Sequence, residues 1–277
     1  MNIQSMLPPL ASDERLDEVN ERIRLIQKKH GLTFGTDAFL LAAFVRSSPR
    51  ARAVDLGSGT GIIPLLLCAK GKVRSAVAVE LQESFADLIR RNTILNGMAD
   101  RITVKNADVR DLTSSDLGGE VELVCSNPPY LKANAGKSNL AEEKEIARHE
   151  VCGSIFDFCA AASRLLKTKG RFACVFRAER LSDLFAAMRD NRLEPKRLVM
   201  VHADENAAPC MVLVEAVKDA APSLIVEPPL FLYTPHQSGA NRREMTPRAA
   251  EIYRNCSFSR DEKDDINTYK EKNHEKT

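Results

Sequence analysis

Asp55-Leu56-Gly57-Ser58-Gly59-Thr60-Gly61 joins two apolar segments of different character. Ala51 to Leu56 before it reads as a strand, and Ile62 to Lys70 after it reads as a helix that tolerates Pro64 in its first turn. Glycines here let the backbone turn tightly and come close to a ligand. A glycine-rich loop alone also suits a dinucleotide, but the spacing is acidic-x-Gly-x-Gly-x-Gly, not Gly-x-Gly-x-x-Gly, and nothing in the chain follows the phosphate-loop pattern.

Downstream the strand–helix alternation continues. Val77 to Glu80 ends a second strand, and Ser84 to Asn96 is an amphipathic helix closed by Gly97. Ile102 to Asn106 is a third strand, and Val121 to Ser126 is a fourth, apolar enough to be central in a parallel sheet. Ser154 to Leu166 is a helix, Lys169-Gly170 turns into a strand over Arg171 to Phe176, and Leu181 to Asn191 is a helix. Two strands, Arg197 to His202 and Met211 to Val217, close the series as an antiparallel return. Upstream, Thr36 or Asp37 caps a buried helix over Ala38 to Phe44, and Asp13 to His30 reads equally as a strand or a short helix. The pattern predicts an α/β, Rossmann-like, doubly wound sheet with helices on both faces. Ligands of such sheets bind beyond the carboxyl ends of the strands.

Three acids stand at successive strand ends: Asp55, Glu80 and Asp108. A carboxylate at Glu80 has the two acceptor oxygens that a pair of ribose hydroxyls requires. One at Asp108 can accept from an adenine amine, with Leu81 and Val109 against the ring faces. At the end of the fourth strand stands Asn127-Pro128-Pro129-Tyr130. A strand-ending turn explains two prolines, but not an amide before them and an aromatic ring after them. An exocyclic amine conjugated to a ring has a delocalised lone pair. The side-chain oxygen of Asn127 and the carbonyl of Pro128 can accept its two hydrogens and turn that lone pair toward an electrophile, which is catalysis by positioning. Tyr130 can stack on a planar substrate.

The glycine loop with Glu80 and Asp108 resembles the class I S-adenosylmethionine-dependent methyltransferases, a likeness covering roughly residues 51–217. It implies a seven-stranded, mostly parallel sheet with the last strand antiparallel. S-adenosylmethionine would contact Asp55, Gly57, Ser58, Gly59, Gly61, Glu80, Leu81, Asp108, Val109 and Asn127. Asn-Pro-Pro-Tyr resembles the motif of enzymes that methylate adenine amines in DNA or RNA, guanine exocyclic amines in rRNA, and the glutamine amide of release factors. About 50 residues precede the glycine loop and sixty follow Val217, less than the extra domains that glutamine-amide and DNA-adenine enzymes usually carry. Phe34-Gly35-Thr36-Asp37, Ala147-Arg148-His149-Glu150, Pro228-Pro229-Leu230 and Glu251-Ile252-Tyr253 resemble the bacterial tRNA-valine adenine-N6 methyltransferase family over most of residues 32–254. That resemblance implies N6 methylation of an adenine in structured RNA, a tRNA anticodon loop, with Gly35, Thr36 and Asp37 closing over the methionine end of the cofactor. The other readings are release-factor glutamine methylation, rRNA guanine-N2 or DNA adenine-N6 methylation, and a non-catalytic RNA-binding subunit.

On the substrate side, residues 131–150 form a long polar loop of the kind that covers sites, with Arg148 placed for a phosphate. Arg242, Arg243, Arg248 and Arg254 form a basic cluster, and Lys28-Lys29-His30 a shorter one. Arg242 and Arg243 are the expected RNA contacts. The formal net charge of +2 neither demands nor excludes a polyanion. The seven cysteines include no Cys-x-x-Cys pair and several lie in apolar runs, so reduced core cysteines and no metal are expected. Neither a signal peptide nor an apolar run of about 20 residues appears, which points to a cytoplasmic protein away from membranes. The organisation expected is one methyltransferase domain over residues 1–255, made of an N-terminal segment 1–50, a cofactor-binding core 51–217 and an extension 218–255. Residues 256–277 would be a charged disordered tail, and the protein a monomer or weak dimer.

Overall fold

A computed structural model describes residues 8–30, 35–129, 153–235 and 243–259. Its elements are β1 (Glu14–Asn20), β2 (Ile23–Lys28), α1 (Thr36–Phe44), β3 (Ser48–Leu56), α2 (Ile62–Ala69), β4 (Val73–Glu80) and α3 (Glu83–Leu95). There follow β5 (Ile102–Asn106), β6 (Val121–Ser126), α4 (Ile155–Leu165), β7 (Leu166–Arg177), α5 (Leu181–Asp190), β8 (Leu193–His202) and β9 (Pro209–Lys218). Two short strands, β10 (Ile225–Val226) and β11 (Leu230–Phe231), lead to α6 (Pro247–Asn255).

The main sheet runs β10-β8-β9-β7-β6-β3-β4-β5, with β11 also paired to β8. Every pairing in it is parallel except the two made by β9. This is the expected seven-stranded sheet plus two additions. β10 and β11 have two residues each, too short to leave a period in the sequence. β9 is antiparallel because only residues 203–208 connect it to β8, and a parallel neighbour needs a long crossover.

Along much of β3 and β4 the side chains alternate in size as well as in facing. Ala53, Ala76, Ala78, Cys125 and Ala173 join the cluster containing α1 and α2, whereas Val54, Leu56, Val77, Val79, Phe172 and Phe176 join the one containing α4 and α5. The small side chains make room for α1, whose residues Ala38 to Phe44 are all buried. Such a helix needs neighbours on every side. One of them is α6, where Tyr253 stacks on Phe39 with ring centroids 4.6 Å apart. Just beyond α6 Cys256 is buried, and Phe258 meets Phe44 edge-on.

The ambiguous Asp13 to His30 segment is a β-hairpin. Its outer edge is closed by a helix: Asn92 exchanges two hydrogen bonds with the backbone of Ile26, and Asn96 two with that of Arg24. Two asparagines four residues apart on one face of α3 thus act as a substitute strand. No helix among the described residues is long and apolar enough to cross a membrane.

Candidate active site

The chain starts the sheet at β3, builds outward through β4 and β5, then returns to β3's other side with β6. Crevices open where the order reverses in this way. Leu56 is registered with Ser126, and the Ser126 hydroxyl donates to the Leu56 carbonyl at 2.8 Å. The glycine loop and Asn127-Pro128-Pro129 therefore leave the sheet side by side.

The loop is held from below and from the side. Gly57 and Ser58 both donate to the Val79 carbonyl at 2.9 Å. Glu80 is 7% exposed; one oxygen accepts from the Gly59 amide and the other from the Gln82 amide, each at 2.9 Å. Burial pushes its carboxyl upward, against these amide bonds. The Leu81 amide also acts on this carboxylate, whose roughly four lone-pair sites leave room for a further donor. Gly61 has φ +80°, and a Cβ on it would lie 2.8 Å from the Ile89 side chain, so both backbone and space require glycine there.

Asp55 is 1% exposed and serves the loop from inside. It accepts from the Ser58 hydroxyl at 2.7 Å and has the Cys125 thiol at 3.6 Å. Burial pushes its carboxyl up to about 7, with Glu80 adding to the effect and the Ser58 and Cys125 hydrogen bonds opposing it. Asp108 lies at the rim under the fork of Arg110, whose Nη2 is 2.5 Å from Oδ2 and whose Nε is 2.9 Å from Oδ1. Arg110 holds that carboxyl below its usual range. Val109 is buried in the α4–α5 core, and Leu81 is half-buried with its carbonyl accepting from Asn106.

At the third wall stands the start of α1. Gly35 is its N-cap, and Thr36 and Asp37 lie in its first turn. Asp37 Oδ2 accepts from Asn127 Nδ2 at 3.0 Å, and Asp37 Oδ1 accepts from the Ala38 amide at 2.8 Å. Asn127 and Pro129 are half-buried, and Pro128 is buried. The structure thus brings together Gly35, Thr36, Asp37, the glycine loop, Glu80 and Asn127 to Pro129. Tyr130, the 131–150 loop with Arg148, and Arg242 lie outside the described residues. Arg243 sits apart, 3.8 Å from Asp204. Lys28 is taken by Asp13 and Glu14, and Lys29 by the Ser12 carbonyl.

Three residues support the site from outside it: Asn92 and Arg164 carry no motif, and Tyr253 belongs to Glu251-Ile252-Tyr253. Asn92 also donates to the Thr60 carbonyl at 3.0 Å, tying hairpin, α3 and glycine loop together. Arg164 donates to the carbonyls of Val109, Arg110 and Leu112, fixing the turn after β5. Tyr253 is pushed above the usual phenol value by burial, while its hydrogen bond with Thr36 acts in the opposite direction. An asparagine or arginine inside an amphipathic helix signals nothing by itself; only its position toward the sheet's carboxyl rim could have marked it.

Curated relatives align with this chain over most of their length. The chain is 28% identical to a tRNA1(Val) (adenine(37)-N6)-methyltransferase of Porphyromonas gingivalis over 78% of itself and 89% of that protein. It is 26% identical to one of Dyadobacter fermentans over 72% of itself and 81% of that protein. Among solved structures, a predicted O-methyltransferase of Agrobacterium tumefaciens superposes with TM-score 0.63 at 21% identity, covering 81% of this chain and 98% of the other. TYW2 of P. horikoshii, solved with MeSAdo, superposes with TM-score 0.51 at 16% identity over 76% of this chain and 73% of its own. The family model described as the methyltransferase small domain matches residues 29–190, which span α1, the glycine loop, Glu80, Asn127 and α5, and the chain belongs to that family.

Proposed function

We propose that this protein transfers a methyl group from S-adenosylmethionine to the exocyclic N6 amine of an adenine in RNA, in a tRNA anticodon loop. The observation that carries the reading is the registered pair Leu56–Ser126. It sets Asn127-Pro128-Pro129 beside the glycine loop, where Asp37 meets the Asn127 amide.

The residues present fit the cofactor. Gly57, Gly59 and Gly61 all have positive φ; a Cβ would meet Phe158 at Gly57 and Ile89 at Gly61 but nothing within 4 Å at Gly59, whose backbone a ligand can approach closely. Glu80 would accept from the ribose hydroxyls. Asp108 would accept from the adenine amine in exchange for part of the Arg110 fork. Asp55 and Ser58 would hold the loop's shape, Leu81 and Val109 would border the ring, and Gly35, Thr36 and Asp37 would close the methionine end. S-adenosylmethionine supplies a methyl group made electrophilic by its sulfonium.

Asn127 Oδ1 and the Pro128 carbonyl would each accept one N–H of the target amine, drawing the nitrogen toward tetrahedral geometry and aiming its lone pair. Tyr130 would stack on the base, which must leave its own stack to enter. Arg148, Arg242 and Arg243 would hold phosphates. The relatives' names support the choice of tRNA adenine, and their alignments cover 78% and 72% of the chain.

The test is transfer of labelled methyl from S-adenosylmethionine to unmodified total tRNA, followed by nucleoside analysis. Label is expected as N6-methyladenosine, and Asn127→Ala should abolish it with cofactor binding retained. Label absent from tRNA while the cofactor binds would refute the tRNA assignment and move the search to rRNA and release factors.

A further inference from the structure

Asn127 presents two nearly isosteric ends, a carbonyl oxygen and an NH2 group. Only one of them suits a substrate amine. If the carboxamide rotates by half a turn about its last bond, a donor meets a donor and the amine loses an acceptor. A partner that accepts and cannot donate favours one of these two orientations.

Asp37 is such a partner. Its carboxylate accepts and cannot donate, so the NH2 end of Asn127 must face it. The observed 3.0 Å contact from Nδ2 to Oδ2 joins residues ninety positions apart. The Asp37 carboxylate is itself fixed. Oδ1 accepts from the Ala38 amide at the N-terminus of α1, where a helix favours negative charge. A Cβ at Gly35 would lie 2.7 Å from the same Oδ1, so the glycine leaves the space this side-chain position uses. Behind it, Tyr253 of α6 stacks on Phe39 and contacts Thr36, bracing the first turn of α1.

We propose that Asp37 is a positioning residue: it fixes the orientation of the Asn127 carboxamide so that Oδ1, and not Nδ2, is offered to the substrate amine. This rests on the reading of Asn127 as the amine's acceptor.

Two measurements test it. The first is independent of activity. The side-chain amide resonances of Asn127, identified by their loss in Asn127→Ala, are expected to be slow in solvent exchange in the wild-type protein and fast or broadened in Asp37→Ala. The second is kinetic. Asp37→Ala should lower kcat at saturating S-adenosylmethionine at least tenfold, with KM for tRNA within about twofold of wild type; a loss of S-adenosylhomocysteine affinity would report the same residue's place at the methionine end. Asp37→Asn should stay within about threefold of wild type, because an amide oxygen can still accept from Asn127.

Asn127→Asp sets two carboxylates against each other and should lose at least a hundredfold. Adding Asp37→Asn to Asn127→Asp exchanges donor and acceptor across the pair and should recover at least tenfold. Unaltered Asn127 amide resonances in Asp37→Ala, or no recovery in the exchanged pair, would overturn the proposal. Full methyl transfer by Asn127→Ala would instead overturn the catalytic reading. A fall in S-adenosylhomocysteine affinity with kcat at saturating cofactor unchanged in Asp37→Ala would confine Asp37 to the cofactor and also refute the proposal.

Discussion

Asp55 shows what a motif acid costs when it is buried. Its ordinary value is 3.8, and burial brings it to about 7. An unfolded chain releases this proton from about pH 4 upward, while the folded chain retains it to about pH 7. The folded state therefore loses stability across that interval and levels off above it, by at most about 4 kcal/mol. Asp55→Asn keeps an acceptor for the Ser58 hydroxyl and removes the titration. Urea midpoints of the ligand-free protein are expected to fall between pH 4 and pH 7 for wild type, with a shallower fall for Asp55→Asn. Identical slopes would show that the carboxyl does not carry the effect. The sequence places Asp55 at the strand end correctly, but the side chain's inward partners, Ser58 and Cys125, belong to the loop and to the neighbouring strand. The same holds for the contact between Asp37 and Asn127, which joins two motifs that no local period connects.

Elements were legible where one physical period dominates. The apolar run of β6 and the amphipathic pattern of α3 locate themselves, and the expected bounds differ from the observed ones by a residue or two. The β1–β2 hairpin was not legible, since Leu16, Val19, Ile23, Leu25 and Ile26 satisfy neither period cleanly and α3 supplies the missing edge. Its docking depends on Glu14, which takes the Arg91 guanidinium on both oxygens at 2.6 and 2.9 Å. Arg91 chiefly holds this carboxyl at about 2, below its ordinary 4.5. That stabilisation is complete above pH 4.5 and disappears as the pH falls toward 2, at most about 3 kcal/mol. Glu14→Gln should flatten the acid limb of a stability–pH curve; an unchanged limb would remove the hairpin from the account.

The end of α1 has a comparable device. The helix has no basic residue in its last turn, yet Lys72, arriving from the α2–β4 turn, donates to the carbonyls of Ala42, Ala43 and Val45 at 2.7 to 2.9 Å. A buried ammonium there satisfies acceptors that helix termini leave open. Lys72→Met preserves the stem and should cost about 2–3 kcal/mol in chemical denaturation. A loss below about 0.5 kcal/mol would mean that water replaces the ammonium.

At the scale of the molecule, the sheet gathers its ligand groups on one rim while the net charge stays near neutral, so any polyanion must find individual cations there. Among the described residues, two arginines that follow β7 on that rim are closely paired: Arg177 with Glu179 at 3.1 Å and Arg180 with Asp183 at 2.9 Å. Arg243 is held more loosely. Its contact with Asp204 is 3.8 Å long and its side chain is 47% exposed, so exchanging this carboxylate for a phosphate costs little. If Arg243 meets the RNA backbone, Arg243→Ala should weaken tRNA binding severalfold at every salt concentration tested. It should also reduce the slope of log affinity against log salt by about one, with S-adenosylhomocysteine affinity unchanged. Asp204→Asn should act oppositely, by freeing the guanidinium. A parallel pair of salt plots for wild type and Arg243→Ala would exclude this arginine as a phosphate contact, and the cations that hold the RNA would then have to be sought outside this corner of the rim.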